Sequence, residues 1–369
     1  MSSFDHALAV LSADHSRVLI VDDSAVARAV LARMIDANDD FVVARTVANV
    51  RAALDFLAIE RVELILLDIQ MPGVDGITAL PDIVAAGRGA RVLVVSSSAS
   101  DGAANTVQAL AMGAADTLVK PGTGDLSSRF AEQLIDKLRR LTGVAVPAAP
   151  MPVAAKPAVA TPIATITPLP PRPRAVGDSY DIVAIGASTG GIHALSQMLR
   201  AIPSSFTLPI LVTQHLPASF MPYFAAQLAV LAGRPAEVAV DRLRIRPGRV
   251  IVAPGDAHIR CVSLGDGSAA IRLTHESAPS GCMPSVDPML ASMVDIYGPR
   301  MLAIVLSGMG RDGAEGARLV HEAGGCVVVQ DQASSVIWGM PGSIATAGNA
   351  DAILDPEAIG RLATSRRRP

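Results

Sequence analysis

Between Val144 and Gly177 the chain reads VAVPAAPMPVAAKPAVATPIATITPLPPRPRAVG. Proline lacks the N–H that helices and sheet ladders use, and it restricts the residue before it, so no regular period runs through this stretch. Such a segment favours extended, polyproline-like conformations and acts as a semi-rigid tether. An ordered loop of this length inside one compact domain would be unusual. The apolar run from Val144 to Thr167 is not a membrane span either, because its prolines and Lys156 break the helix that a span requires. The chain therefore divides into a unit over residues 17–142, a Pro/Ala-rich linker over 143–178 and a second unit over 179–366.

A length of 369 residues lets each unit bury its own core, and 50% hydrophobic against 18% charged residues marks a folded chain. The net charge of −3 offers no electrostatic footprint for nucleic acid or an anionic membrane, and the terminal SRRRP is a local basic tail. Cys261, Cys282 and Cys326 lie far apart with no CxxC pair. That spacing argues against a disulfide framework or a zinc site and suits a reducing cytoplasm. The N-terminal MSSFDHALAVLSADHSR has no basic n-region, so no signal peptide is expected. The expectation is a cytoplasmic protein without membrane insertion.

In the first unit RVLIV, FVVARTV, LILLD, RVLVVSS and DTLVK read as five strands separated by helix-compatible segments. Repeated βα units of this kind build a mostly parallel sheet. The second unit repeats the style with DIVAIGA, PILVTQ, RVIVAP, MLAIVLS and CVVVQ. Near-continuous Val/Ile/Leu runs are what strands buried on both faces require. HIRCVSLGDGSAAIRLT differs: two alternating runs around Gly-Asp-Gly predict a β-hairpin. The predicted class is α/β throughout, with the second unit a doubly wound, mostly parallel sheet carrying that hairpin.

Asp22 and Asp23 end the first strand of the first unit, and Asp68 ends the third. Strand C-termini line the ligand crevice of an open α/β sheet, so three carboxylates converge there. They repel one another unless a hard cation neutralises them, and Mg²⁺ accepts such oxygens while keeping water for a phosphoryl group. Ser96 ends the fourth strand and can hydrogen-bond a phosphoryl oxygen; Lys120 ends the fifth and can pair with its charge. The blocks VDDS, LLDIQMPGVDG, VVSS and VKP, in this order, resemble a response-regulator receiver domain, a flavodoxin-like (βα)5 fold. The resemblance implies that Asp68 is the phospho-acceptor for a partner histidine kinase. It also implies that Asp22, Asp23, Asp68 and the backbone at Gln70 hold Mg²⁺, and that Ser96 and Lys120 contact the phosphoryl group. Thr117 stands where receivers commonly carry an aromatic switch residue, so signalling through an aromatic rotamer is not expected.

The second unit opens on DIVAIGASTGG, a strand running into Ser188 between glycines. Small flanking residues suit a sharp turn that exposes a serine nucleophile, but they also suit a phosphate loop at a helix N-terminus. A short-chain dehydrogenase using such a loop should carry Tyr-x-x-x-Lys. Four residues after Tyr180, Tyr223 and Tyr297 stand Ala184, Gln227 and Met301, so the dinucleotide reading falls.

A serine nucleophile needs a base and an acid that orients it. His215 follows PILVTQ and Asp312 follows MLAIVLSGMGR, both just past strand ends. His258 and His193 are rival bases; Asp256, Asp287 and Asp331 compete for the acid role. The order Ser…His…Asp differs from the Ser…Asp…His of an α/β-hydrolase.

AIGASTGG, VTQHLP, VAPGDAH, LSGMGRDGAEG and VIWGMPGSIA together resemble the catalytic domain of chemotaxis protein-glutamate methylesterases, and the whole chain matches their receiver–linker–esterase layout. The resemblance implies that Ser188 is the nucleophile, His215 the base, Asp312 the orienting acid and the Met309 N–H an oxyanion-hole donor. It implies hydrolysis of glutamyl γ-methyl esters on chemoreceptors, releasing methanol, with deamidation of receptor glutamines alongside. It further implies an esterase that needs no cofactor and a receiver that covers the cleft until it is phosphorylated.

Overall fold

The structure, a computed structural model, describes residues 15–96, 102–120, 128–143 and 179–369. The Pro/Ala-rich segment lies outside these residues, and so does the side chain of Ser96.

The first unit runs β1 (Ser16–Val21), α1 (Ala25–Asp36), β2 (Phe41–Val47), α2 (Val50–Ile59) and β3 (Leu64–Asp68). It continues with α3 (Gly76–Ala86), β4 (Arg91–Ser96), α4 (Gly102–Ala111), β5 (Asp116–Val119) and α5 (Ser128–Thr142). Every described pairing is parallel, in the order β2-β1-β3-β4-β5. The reversal of order between β1 and β3 opens a crevice at their C-terminal ends. All five residues of the inner strand β3 are buried, whereas edge strand β2 mixes buried and exposed positions. Ser24, Asn49 and Asp75 cap α1, α2 and α3 by accepting from the N–H groups of Ala27, Ala52 and Thr78.

The second unit comprises β6 (Ile182–Ala187), α6 (Gly191–Arg200), β7 (Ile210–Gln214), α7 (Met221–Ala232), β8 (Ala236–Val238), β9 (Val250–Val252), β10 (His258–Ser263) and β11 (Ala269–Thr274). After these come α8 (Val286–Tyr297), β12 (Met301–Val305), α9 (Ala314–Glu322), β13 (Cys326–Gln330), α10 (Gly339–Thr346), β14 (Ala352–Leu354) and α11 (Pro356–Ser365). Seven strands form a parallel sheet in the order β14-β13-β12-β6-β7-β9-β8. The expected hairpin is present as antiparallel β10 and β11, which form a sheet of their own stacked on α8. Edge strands β8 and β14 extend the five strands expected from the apolar runs. Each is three residues long and only partly buried, too short to carry a recognisable pattern.

β6 sits at the centre, with β7 on one side and β12 on the other. Its six residues are buried, as are all of β7, β12 and β13. One apolar cluster continues from the first unit into the second, from Val107 and Leu110 of α4 to Leu195 of α6 and Leu228 of α7. His193 Nδ1 lies 3.1 Å from the Ala111 carbonyl oxygen, and Arg91 donates to the Ser335 carbonyl at 3.3 Å, both joining the units.

Candidate active site and candidate phosphorylation site

In the first unit Lys120 Nζ lies 2.7 Å from both Asp22 Oδ2 and Asp68 Oδ2. Asp22 and Asp68 are buried, and Asp23 is exposed at the rim. The Asp22 carboxylate also accepts from the Ser24 N–H at 2.9 Å, and Asp68 Oδ1 accepts from the Gln70 N–H at 3.3 Å. Burial pushes the Asp68 carboxyl above its ordinary range, with Lys120 opposing and Asp22 adding to the shift. Carboxylate oxygens of Asp22, Asp23 and Asp68 come within 4.8 Å of one another. A hard-oxygen triad with a single lysine against it suits a divalent cation such as Mg²⁺.

In the second unit, Ser188, His215 and Asp312 follow β6, β7 and β12, three adjacent parallel strands. The turn that carries Ser188 is fixed by its backbone. Ser188 N–H donates to the Ser307 carbonyl at 3.0 Å, while the Ser188 carbonyl accepts from Gly191 N–H at 2.8 Å and Gln214 Nε2 at 3.0 Å. Gly190 adopts φ +75°, and a Cβ there would meet Val336 at 2.4 Å, so a side chain is excluded both by conformation and by space. Among the described residues the Ser188 hydroxyl makes no hydrogen bond.

His215 Nε2 lies 2.8 Å from Asp312 Oδ2. Asp312, 1% exposed, also accepts from the Ser285 hydroxyl at 2.6 Å and the Val286 N–H at 2.7 Å. Burial opposes its ionisation, but these hydrogen bonds from His215, Ser285 and Val286 outweigh it and bring Asp312 down to about 2. Burial also opposes a charged imidazole at His215, yet the Asp312 hydrogen bond, followed by the Cys282 sulfur, raises it to about 9. Both shifts favour the ion-pair form of this couple.

The rival groups have other partners. His193 faces Ala111 and Gln197, the latter at 3.0 Å. His258 accepts from the Ser285 N–H through Nδ1 at 2.9 Å, and its Nε2 meets the Glu276 carbonyl oxygen at 2.7 Å. Asp287 accepts from the Gly316 N–H at 2.7 Å, and Asp331 binds Ser334; Asp256 is exposed.

The segment after β12 passes close over the serine. A Cβ on Gly308 would lie 2.8 Å from Ser188 Cβ and 2.3 Å from Met340 Sδ. Gly308 N–H donates to Ile337 at 3.0 Å and its carbonyl accepts from Met340 N–H at 2.8 Å. Met309 follows directly on this anchored glycine, and its N–H has no acceptor among the described residues. Ser285 and Cys282 are the neighbours of this site that the sequence did not single out. Both lie in the irregular connection from β11 to α8, where no strand end or motif marks them.

A family profile described as CheB methylesterase matches residues 183–362, and one for the response regulator receiver domain matches residues 18–130. The protein-glutamate methylesterase/protein-glutamine glutaminase of group 2 operon from Rhodospirillum centenum is 38% identical, over 94% of this chain and 93% of its own length. A protein-glutamate methylesterase/protein-glutamine glutaminase from Paramagnetospirillum magneticum is 40% identical, over 92% of this chain and 93% of its own. The crystal structure of the Thermotoga maritima CheB methylesterase catalytic domain is 34% identical and covers 51% of this chain and 98% of its own, with a TM-score of 0.49.

Proposed function

Because the chain belongs to the protein-glutamate methylesterase/protein-glutamine glutaminase family, we propose that Ser188 is its nucleophile, His215 the base and Asp312 the group that orients the imidazole. The chain is a hydrolase of chemotaxis that removes methyl groups from protein glutamates under the control of a phosphorylatable receiver. The observation that carries the residue assignment is the 2.8 Å contact from His215 Nε2 to Asp312 Oδ2, at strand ends flanking the one that leads into Ser188.

With Nε2 committed to Asp312, Nδ1 is the nitrogen left to take the serine proton. Ser188 Oγ attacks the γ-carbonyl carbon, and the carbonyl π electrons move onto oxygen. The Met309 N–H is then the donor beside the new oxyanion; one such donor contributes ~3–4 kcal/mol to the transition state. The oxyanion collapses, methanol leaves with the proton held by His215, and water cleaves the acyl-enzyme by the same route. A glutamine side chain would lose ammonia instead. No cofactor is needed for these steps.

In the receiver Asp68 accepts the phosphoryl group from a histidine kinase of the chemotaxis system. Lys120 pairs with the added charge and Ser96 contacts the phosphoryl oxygens. Asp22, Asp23 and Asp68, with the backbone at Gln70, would hold Mg²⁺, which supplies positive charge against the phosphoryl oxygens. The esterase substrates are the methylated glutamates of chemoreceptors, and the enzyme acts on them from the cytoplasm. None of the described helices is long and apolar enough to cross a membrane.

Methanol release from methylated receptor tests the assignment. Ser188→Ala should abolish it, and retained turnover would remove Ser188 from the mechanism. A small-molecule phosphodonor should accelerate the wild-type chain and leave Asp68→Ala unchanged; equal acceleration of both would refute control through Asp68.

A further inference from the structure

Sequence spacing separates the three cysteines from one another and from any histidine pair, yet folding carries one of them to the candidate active site. Cys261 and Cys326 are buried, whereas Cys282 is partly exposed. Metal-ligating atoms of His215, Cys282 and Asp312 lie within 4.8 Å of one another. Two of the three sit on the rigid rim of the parallel sheet, and Cys282 comes from the connection between β11 and α8, three residues before Ser285. The Cys282 Sγ lies 3.8 Å from the Ser280 carbonyl oxygen and also faces the His215 ring.

We propose that His215, Cys282 and Asp312 form a zinc site whose occupation switches the esterase off. Thiolate, imidazole and carboxylate together are the donor set of zinc rather than of magnesium or calcium. Tetrahedral zinc at its usual bond lengths places ligand atoms about 3.3–3.8 Å apart. His215 Nε2 and Asp312 Oδ2, now 2.8 Å apart, therefore need to open by about 0.5 Å, and the wider separations to Cys282 need to close by roughly 1 Å. Binding displaces two protons to solvent, that of the thiol and that of whichever imidazole nitrogen takes the metal. The fourth position is left to water. A metal on Nε2 replaces the hydrogen bond to Asp312, and a metal on Nδ1 occupies the nitrogen that would receive the serine proton. Either way the imidazole leaves proton transfer. The cost is the loss of one Asp312 bond; those from Ser285 and Val286 can persist on the same carboxylate.

The metal site stands on the donor geometry alone, and its effect on turnover rests on the Ser188–His215–Asp312 reading. Two measurements on the full chain keep these apart. The first is Co²⁺ titration: wild type should develop a near-ultraviolet thiolate-to-cobalt absorption together with visible bands of tetrahedral intensity, and Cys282→Ala should not. The second is Zn²⁺ inhibition of methanol release, each protein normalised to its own rate in chelator. Cys282→Ala should need at least tenfold more zinc than wild type for half-inhibition. No thiolate–cobalt band in wild type would overturn the site, and equal zinc sensitivity of the two proteins would overturn its role as a switch. A cobalt band in a wild-type chain without esterase activity would instead leave the site standing and remove the functional reading.

Discussion

Ser285 donates its hydroxyl to Asp312 Oδ1 across 2.6 Å, and so ties the acid of the candidate triad to the start of α8. Ser285 is itself held by His258, whose Nδ1 accepts its N–H at 2.9 Å, while the other ring nitrogen is tied to the Glu276 carbonyl. Ser285 and His258 are buried, so each bond acts without competition from water.

His258 is thus a positioning residue for Asp312, acting through Ser285. Leaving the Ser285 N–H without an acceptor costs about 1–3 kcal/mol. His258→Phe should therefore lower kcat roughly tenfold or more with little change in KM. His258→Asn can offer an oxygen near the place of Nδ1 and should recover part of the loss. If His258→Phe and His258→Asn prove equally impaired at unchanged circular dichroism, the hydrogen-bond route is wrong.

The His215–Asp312 couple predicts an unusual pH profile. Turnover needs neutral imidazole, and His215 is raised to about 9, so the rate should climb with pH through about 9 rather than through the ordinary histidine range near 6.5. Stability moves the opposite way. A raised pKa contributes stability that is fully present below about 6.5 and is lost as pH rises through about 9. Asp312→Asn removes the main group that raises His215 and leaves the Cys282 sulfur alone against burial, so the limb should move below its wild-type position. Its kcat should fall ~10²–10⁴-fold, as expected when the acid of a triad is neutralised. A wild-type limb near 6.5 would contradict the raised imidazole.

Gly308 is predicted to accept no side chain. A methyl there would stand 2.8 Å from Ser188 Cβ and 2.3 Å from Met340 Sδ, so the chain carrying the Met309 N–H must lift away from the serine. Loss of one oxyanion donor costs ~10²–10³-fold in kcat. Gly308→Ala should approach that loss while remaining folded, and methanol release beside a thermal melt measures both. Wild-type turnover in Gly308→Ala would exclude Met309 as the donor.

What could be read before the structure was what lies on strands. VDDS, LILLD and VKP sit at the ends of apolar runs, so their convergence follows from parallel topology alone. The same argument brought Ser188, His215 and Asp312 to one rim. It favoured His215 over His258 without deciding between them, because both stand beside strand ends and they differ in their hydrogen-bond partners. Ser285 and Cys282 were hidden for another reason. They belong to an irregular connection, whose path is set by the packing of α8 on the hairpin rather than by any local period.

Two contacts between the units flank the Ser188 turn and predict how the receiver restrains the esterase. His193, on the helix that begins three residues after Ser188, faces the Ala111 carbonyl at 3.1 Å. Arg91 reaches the Ser335 carbonyl at 3.3 Å, next to Val336, which fills the space above Gly190. Each is a neutral-acceptor hydrogen bond contributing about 1 kcal/mol, small enough for phosphorylation to overcome and large enough to shift the balance of docked and undocked chains. Arg91→Ala with His193→Ala removes about 2 kcal/mol of docking and should raise the phosphodonor-free rate of methanol release by up to roughly 30-fold, since ~1.4 kcal/mol is a factor of ten in the equilibrium. The same double variant should respond less to phosphodonor, because part of the undocking has already occurred. An unchanged basal rate, with activation by phosphodonor intact, would place the restraint elsewhere than at these two contacts.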